Sequence, residues 1–97
     1  MIVLVAKYHV TAGNSDKVAA ALHRMAPLVA KHEPGCTLYQ ANRSTETDDL
    51  FLLYEQYENA EALAAHRETP HFQEIIEGEI VPLLAKRERE IYELVVG

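Results

Sequence analysis

Two histidines, His66 and His71, are the side chains of this chain best suited to move a proton near neutral pH. His66 follows Leu63 by three residues, so on a helix it shares a face with an apolar anchor and is expected to point inward. A partly buried imidazole among phenols can stay neutral and accept a proton from an acidic O–H or C–H, which is the task of a general base. The competing reading is a histidine that is only packed and hydrogen-bonded. His71 falls in the first turn of the following helix, where the helix dipole disfavours the imidazolium form. There it either donates to a substrate oxygen or reinforces the cap. The two histidines are separated by Thr69-Pro70 and do not have the i, i+4 spacing of a metal-binding helix, so no metal is expected. Cys36 has no basic neighbour in sequence to activate it and reads as a small packed residue. Gly13, Gly35, Gly78 and Gly97 are too dispersed to form a phosphate loop.

These side chains must be carried by a short series of elements. Residues 2–10 are rich in β-branched and aromatic types and end at the turn cluster Thr11-Ala12-Gly13-Asn14, so they read as a strand. Asn14 or Ser15 can cap a helix running to Lys31, with Val18, Leu22, Met25 and Val29 as its apolar stripe. Pro27 lies inside it and predicts a kink or shift near His23. After Pro34-Gly35, residues 36–43 and 50–57 read as two strands of a hairpin joined by a polar turn. Asn59 caps a short helix through Arg67, and Thr69 with Pro70 starts another, whose stripe is Phe72, Ile75, Ile76, Ile80, Leu83 and Leu84. Pro82 disturbs its end, and residues 87–96 close the chain as a fourth strand. The mixed-sign run from Lys86 to Glu90 reads as a solvated edge.

The order β-α-β-β-α-(α)-β predicts an α+β, ferredoxin-like domain spanning residues 1–97: a four-stranded antiparallel sheet with helices on one face. Its other face, expected to carry Val3, Val5, Phe51 and Leu53, is too apolar to stay wet, which predicts a homodimer packed sheet to sheet. Glu55 and Tyr57 are expected on that seam, with Glu55 paired to Lys7 or His9. The 97 residues are 48% hydrophobic with a formal net charge of −6, nine basic side chains standing against fifteen acidic. That balance disfavours nucleic acid, whose phosphates need a positive surface. Residues 1–5 form an apolar run too short for a membrane span and without the basic flank of a signal peptide. A lone cysteine fits a reducing compartment, so a cytoplasmic location is expected.

The segment from Leu50 to Phe72, LFLLYEQYENAEALAAHRETPHF, resembles the antibiotic biosynthesis monooxygenase family. The strand-borne Tyr-Glu-x-Tyr of Tyr54 to Tyr57, the helix-borne His66 and the Thr69-Pro70-His71 triplet look like that family's hallmark, and Glu33-Pro34-Gly35-Cys36 is similar too. The resemblance implies a dimeric α+β barrel with one ligand cavity per subunit between sheet and helices. It also implies one of three chemistries: cofactor-independent oxygenation of quinols and polycyclic phenols, haem degradation, or isomerisation of a phosphorylated autoinducer. Haem degradation is disfavoured, because the chain has no Trp, has Ala6 where those relatives carry Asn, and has Ile76 at the position of their haem ligand. Tyr57 stands where many members carry Trp.

On this reading His66 is the base, and Tyr8, Tyr54, His71, Phe72 and Ile76 contact a small-molecule substrate, with Glu55 and His9 as further candidates and no cofactor. An isomerase of a small carbonyl compound, using the same His66, and a binding or stress-response module without turnover are the alternatives. The absence of a basic cluster in the sequence weakens a phosphorylated substrate.

Overall fold

A computed structural model describes all 97 residues. In chain order the elements are β1 (Ile2–Val10), α1 (Ser15–His32), β2 (Cys36–Arg43), β3 (Leu50–Tyr57), α2 (Ala60–Glu68), a π-helical α3 (Phe72–Ile80), a 3₁₀ turn (Val81–Leu83) and β4 (Leu84–Glu93). The strands form one antiparallel sheet in the order β2-β3-β1-β4, so the two central strands are flanked by β2 and β4 at the edges. This is the ferredoxin-like α+β architecture.

All three helices lie on one face. Val18, Met25 and Val29 of α1 and Ile75, Ile76 and Ile80 of α3 pack there against Ala6, Tyr8 and Val10 of β1 and Phe51 and Leu53 of β3. Full burial of a side chain of this size stabilises by about 1.5–3 kcal/mol, which makes this layer the main source of cohesion.

Register fixes which residues share a face. Leu4 pairs with Glu55, Ala6 with Leu53 and Tyr8 with Phe51, so Phe51, Leu53, Glu55 and Tyr57 point toward the helices and are buried. The expected assignment of β3 is therefore inverted. Phe51 and Leu53 belong to the core, while Leu50, Leu52 and Tyr54 join Val3 and Val5 on the outer face. Both faces of β3 are apolar, so alternation alone could not choose between them.

Other differences are local. Asn14 occupies the cap position of α1 without capping it; its amide donates to Thr11 Oγ1 at 2.8 Å, and Ser15 Oγ donates to Asp49 at 2.8 Å. The helix passes Pro27 as a single element. β4 begins at Leu84 and ends at Glu93, leaving Val95 and Val96 outside it and 90% and 87% exposed. The last helix is bonded to the fifth residue: the Val81 N–H donates to Ile76 O, and the wider turn is a form that recurs at functional sites. No helix is long and apolar enough to cross a membrane.

Candidate functional site

The site is assembled where α1 ends, where α2 ends, and where β3 passes beneath both. Glu33 is the first residue after α1; its N–H donates to Val29 O at 2.9 Å and its C=O accepts from Cys36 N at 3.0 Å. Gly35 then lies flat against α2, where an added Cβ would come within 2.8 Å of the Ala62 Cβ. α2 is started by Asn59, whose side chain accepts from Ala62 N at 2.8 Å, and it buries Leu63 and His66 on one face, as their three-residue spacing requires. Thr69 links α2 to the next helix, donating through Oγ1 to His66 O at 2.8 Å and accepting there from Phe72 N at 3.2 Å.

Glu33 joins the two histidines. One carboxylate oxygen meets His66 Nδ1 at 2.6 Å and the other meets His71 Nε2 at 2.6 Å, with all three side chains buried. A carboxylate at the C-terminal end of a helix faces the negative end of its dipole. Burial also acts to raise the Glu33 carboxyl, but the hydrogen bonds from His66 and His71 outweigh it and hold the group below the usual carboxylate range. An ionised carboxylate only accepts, so Nδ1 of His66 and Nε2 of His71 both carry hydrogen. In the neutral ring, the lone pair of His66 is then on Nε2. That nitrogen lies 3.7 Å from Glu55 Oε1, on the side away from Glu33.

Nε2 opens on a cavity of about 290 Å³ lined by Leu4, Ala6, Tyr8, Tyr39, Glu55, His66, Arg67, Phe72, Gln73, Glu77, Arg87 and Arg89. The imidazole is caged by rings: Phe72 lies edge-on with centroids 5.0 Å apart, Tyr57 at 5.4 Å and Tyr39 at 5.9 Å. Burial raises the Glu55 carboxyl, although the Tyr57 hydroxyl donates to it at 2.5 Å and partly opposes this. Burial and then the Glu55 charge push the Tyr8 phenol well above its ordinary value, so it remains a donor. The Tyr39 hydroxyl is buried with no hydrogen-bond partner. Burial pushes the Cys36 thiol up to about 11, with Glu55 and Glu33 adding to it, so this thiol is a poor nucleophile.

Of the residues singled out in the sequence, His66, Tyr8 and Phe72 line the cavity, and so does Glu55, from the face opposite to the one expected. Glu55 pairs with Tyr57 and not with Lys7 or His9; His9 lies on the outer face with Nε2 2.6 Å from Glu88. Tyr54 is on the outer face with Val3 and Val5, away from the cavity. Ile76 is 1% exposed within the core and does not reach it either. His71 lies on the far side of Glu33, stacked on His32 at 5.9 Å in a more open groove of about 640 Å³ between α1 and α3. That groove is larger, and it is linked to the cavity groups through His71 with Glu33 and through Thr69, which bonds His66 O and Phe72 N. Glu33, Tyr39 and the arginines were not singled out in the sequence as site residues. A carboxylate just past a helix end, followed by Pro-Gly, was the available sign for the first.

Comparison with known proteins places this geometry among relatives. A protein from Nitrosomonas europaea, provisionally described as an antibiotic biosynthesis monooxygenase, superposes with a TM-score of 0.92 over 99% of this chain and 100% of its own, at 24% identity. A conserved protein of unknown function from Bacteroides thetaiotaomicron, suggested to be an oxidoreductase, is 32% identical with a TM-score of 0.85, covering 96% of each chain. The uncharacterised protein sll1783 of Synechocystis is 34% identical over 65 residues, which are 67% of this chain; the match spans 44% of that protein's length. The family model for antibiotic biosynthesis monooxygenases matches residues 1–78, from β1 through α3's first turns and across every residue of the Glu33, His66 and His71 network. By that match and the shared fold, the chain belongs to the antibiotic biosynthesis monooxygenase family.

Proposed function

We propose that this protein is a cofactor-independent monooxygenase of a quinol or polyphenolic small molecule, with His66 as general base. The observation that carries the reading is the 2.6 Å contact from Glu33 to His66 Nδ1, which leaves Nε2 as the basic atom facing the cavity. Glu33 is a positioning residue: it holds the tautomer and orientation of the ring and stabilises the imidazolium formed on proton transfer. His71 braces the carboxylate from behind. The hydroxyls of Tyr8 and Tyr39 orient a substrate oxygen, and Phe72 packs on its ring.

The substrate gives a phenolic or activated C–H proton to Nε2, and the resulting anion is oxidised by dioxygen. One oxygen atom stays on the substrate carbon and the other leaves as water with two hydrogens lost by the substrate. In oxygen-uptake assays with a panel of quinols, His66→Ala lowers kcat by roughly 10²–10⁴-fold, the usual worth of a positioned base. Equal rates for wild type and variant would remove the assignment.

The second reading, an isomerase of a small carbonyl compound, is favoured by one feature. Glu55, held toward its protonated form by burial, lies 3.7 Å from Nε2 and would complete an acid and base pair for moving a proton between carbons. Solvent deuterium exchange into dicarbonyl compounds without oxygen consumption would select it. We infer further that two copies pair through the outer sheet face and that the protein acts in the cytoplasm.

A further inference from the structure

We propose that the substrate carries a carboxylate, seated against Arg67 and Arg89 at the mouth of the His66 cavity; this rests on reading that cavity as the substrate site. The fold builds a basic cluster from arginines at three positions that looks unremarkable along the chain. Arg87 pairs across the sheet with Tyr8 and Arg89 with Ala6, so both project from β4 onto the helix-covered face, while Arg67 reaches the same cavity from the last turn of α2.

Ion pairing separates Arg67 and Arg89 from the other three arginines. Arg24 holds Glu79, Arg43 holds Asp16, and Arg87 holds Glu77 at 3.3 Å. Arg67 and Arg89 have no carboxylate within 4.0 Å, although the chain has fifteen acidic residues and a net charge of −6. The two arginines without an acidic partner thus line the same cavity, and Glu77, which also lines it, is already engaged by Arg87.

Charge and geometry favour one carboxylate. Two unpaired guanidinium groups leave a local excess of positive charge that Glu55, deeper in the cavity, offsets only in its ionised form. A guanidinium presents a planar fork of donors that matches a carboxylate edge. The buried, unpartnered Tyr39 hydroxyl supplies a donor or acceptor for a phenolic oxygen on the same ligand. A cavity of about 290 Å³ admits a one- or two-ring aromatic acid. In an acidic molecule, such a basic mouth also draws anions toward it.

The test uses the full chain and three stable probes: 6-hydroxy-2-naphthoate, the uncharged 2-naphthol and 2-naphthyl phosphate. The protein has no Trp, so probe fluorescence reports binding without interference. The carboxylate is expected to bind about tenfold or more tighter than 2-naphthol, with the advantage shrinking as salt is raised. Arg67→Gln and Arg89→Gln each reduce that advantage severalfold. Equal affinity for the acid and the naphthol would overturn the proposal, as would a preference that survives the double substitution, a phosphate ester preferred by about tenfold, or no binding of any probe. The wild-type comparison and its salt dependence stand even if a variant fails to fold. Oxygen uptake by His66→Ala tests the base and probe binding by the wild type tests the anion site, so failure of either assignment shows in its own measurement.

Discussion

Glu33 and Glu55 lie on opposite sides of the His66 ring, and their surroundings push them in opposite directions from the ordinary value of 4.5. The lowered Glu33 carboxyl binds fewer protons when folded than when unfolded at pH values just under about 4.5, so its share of stability is lost as pH falls through that window. The raised Glu55 carboxyl binds more protons when folded, so stability falls as pH rises above about 4.5 toward its raised value. Urea unfolding of wild type, Glu33→Gln and Glu55→Gln from about pH 3 to about pH 7 separates the two. Glu55→Gln should flatten the decline above about 4.5, and Glu33→Gln the loss on the acid side. A Glu55→Gln curve parallel to wild type would show that burial does not raise that carboxyl. Glu33→Ala strands two buried imidazole donors and should cost about 2–4 kcal/mol at neutral pH. At this scale the sequence was half legible. His66 announced itself through Leu63 three residues earlier, because a helix converts that spacing into a shared face. Glu33 did not, because its partners stand 33 and 38 positions away and only the closed fold brings them to 2.6 Å.

The elements hold these residues through caps and one tight contact. Asn59→Ala removes the acceptor for Ala62 N and should lower stability by about 1 kcal/mol, and Thr69→Ala by a similar amount. Gly35 sets the approach of α2 to the end of α1. Gly35→Ala would force a methyl to within 2.8 Å of Ala62, move α2 outward and lengthen the bond from His66 to Glu33. We expect a loss of about 1–3 kcal/mol, partly recovered when Ala62→Gly is added, as a double-mutant cycle measured by chemical denaturation would show. The caps of α2 and of the helix after Thr69 were readable because Asn and Thr at those positions accept hydrogen bonds from the exposed first-turn donors. The π-helical winding of α3 was not. Its apolar residues Phe72, Ile75, Ile76 and Ile80 follow one another at gaps of three, one and four, which suits an α-helix and a π-helix alike.

The molecule as a whole is one sheet with helices on a single side, and the uncovered side carries Val3, Val5, Leu50, Leu52 and Tyr54, with exposed Tyr92 and the Val95-Val96 tail beside it. Sedimentation should show a dimer of the wild type and a shift to monomer for Leu52→Glu, whose added carboxylate would be buried without a partner at the seam. A wild-type monomer at working concentrations would refute the face-to-face pairing. The layered architecture was legible because element order and turn chemistry agreed; which side of β3 faced the helices was not, because Leu50 to Tyr57 is apolar on both. The open sheet also has a rim at β4, where Lys86, Arg87, Glu88, Arg89 and Glu90 follow one another along a strand paired on its inner side only. If two such rims met antiparallel about Glu88, that residue would face its own copy and Arg87 would face Arg89. Like charges disfavour that register, and replacing them with apolar residues would remove this bar and invite open-ended growth of strand upon strand into fibres.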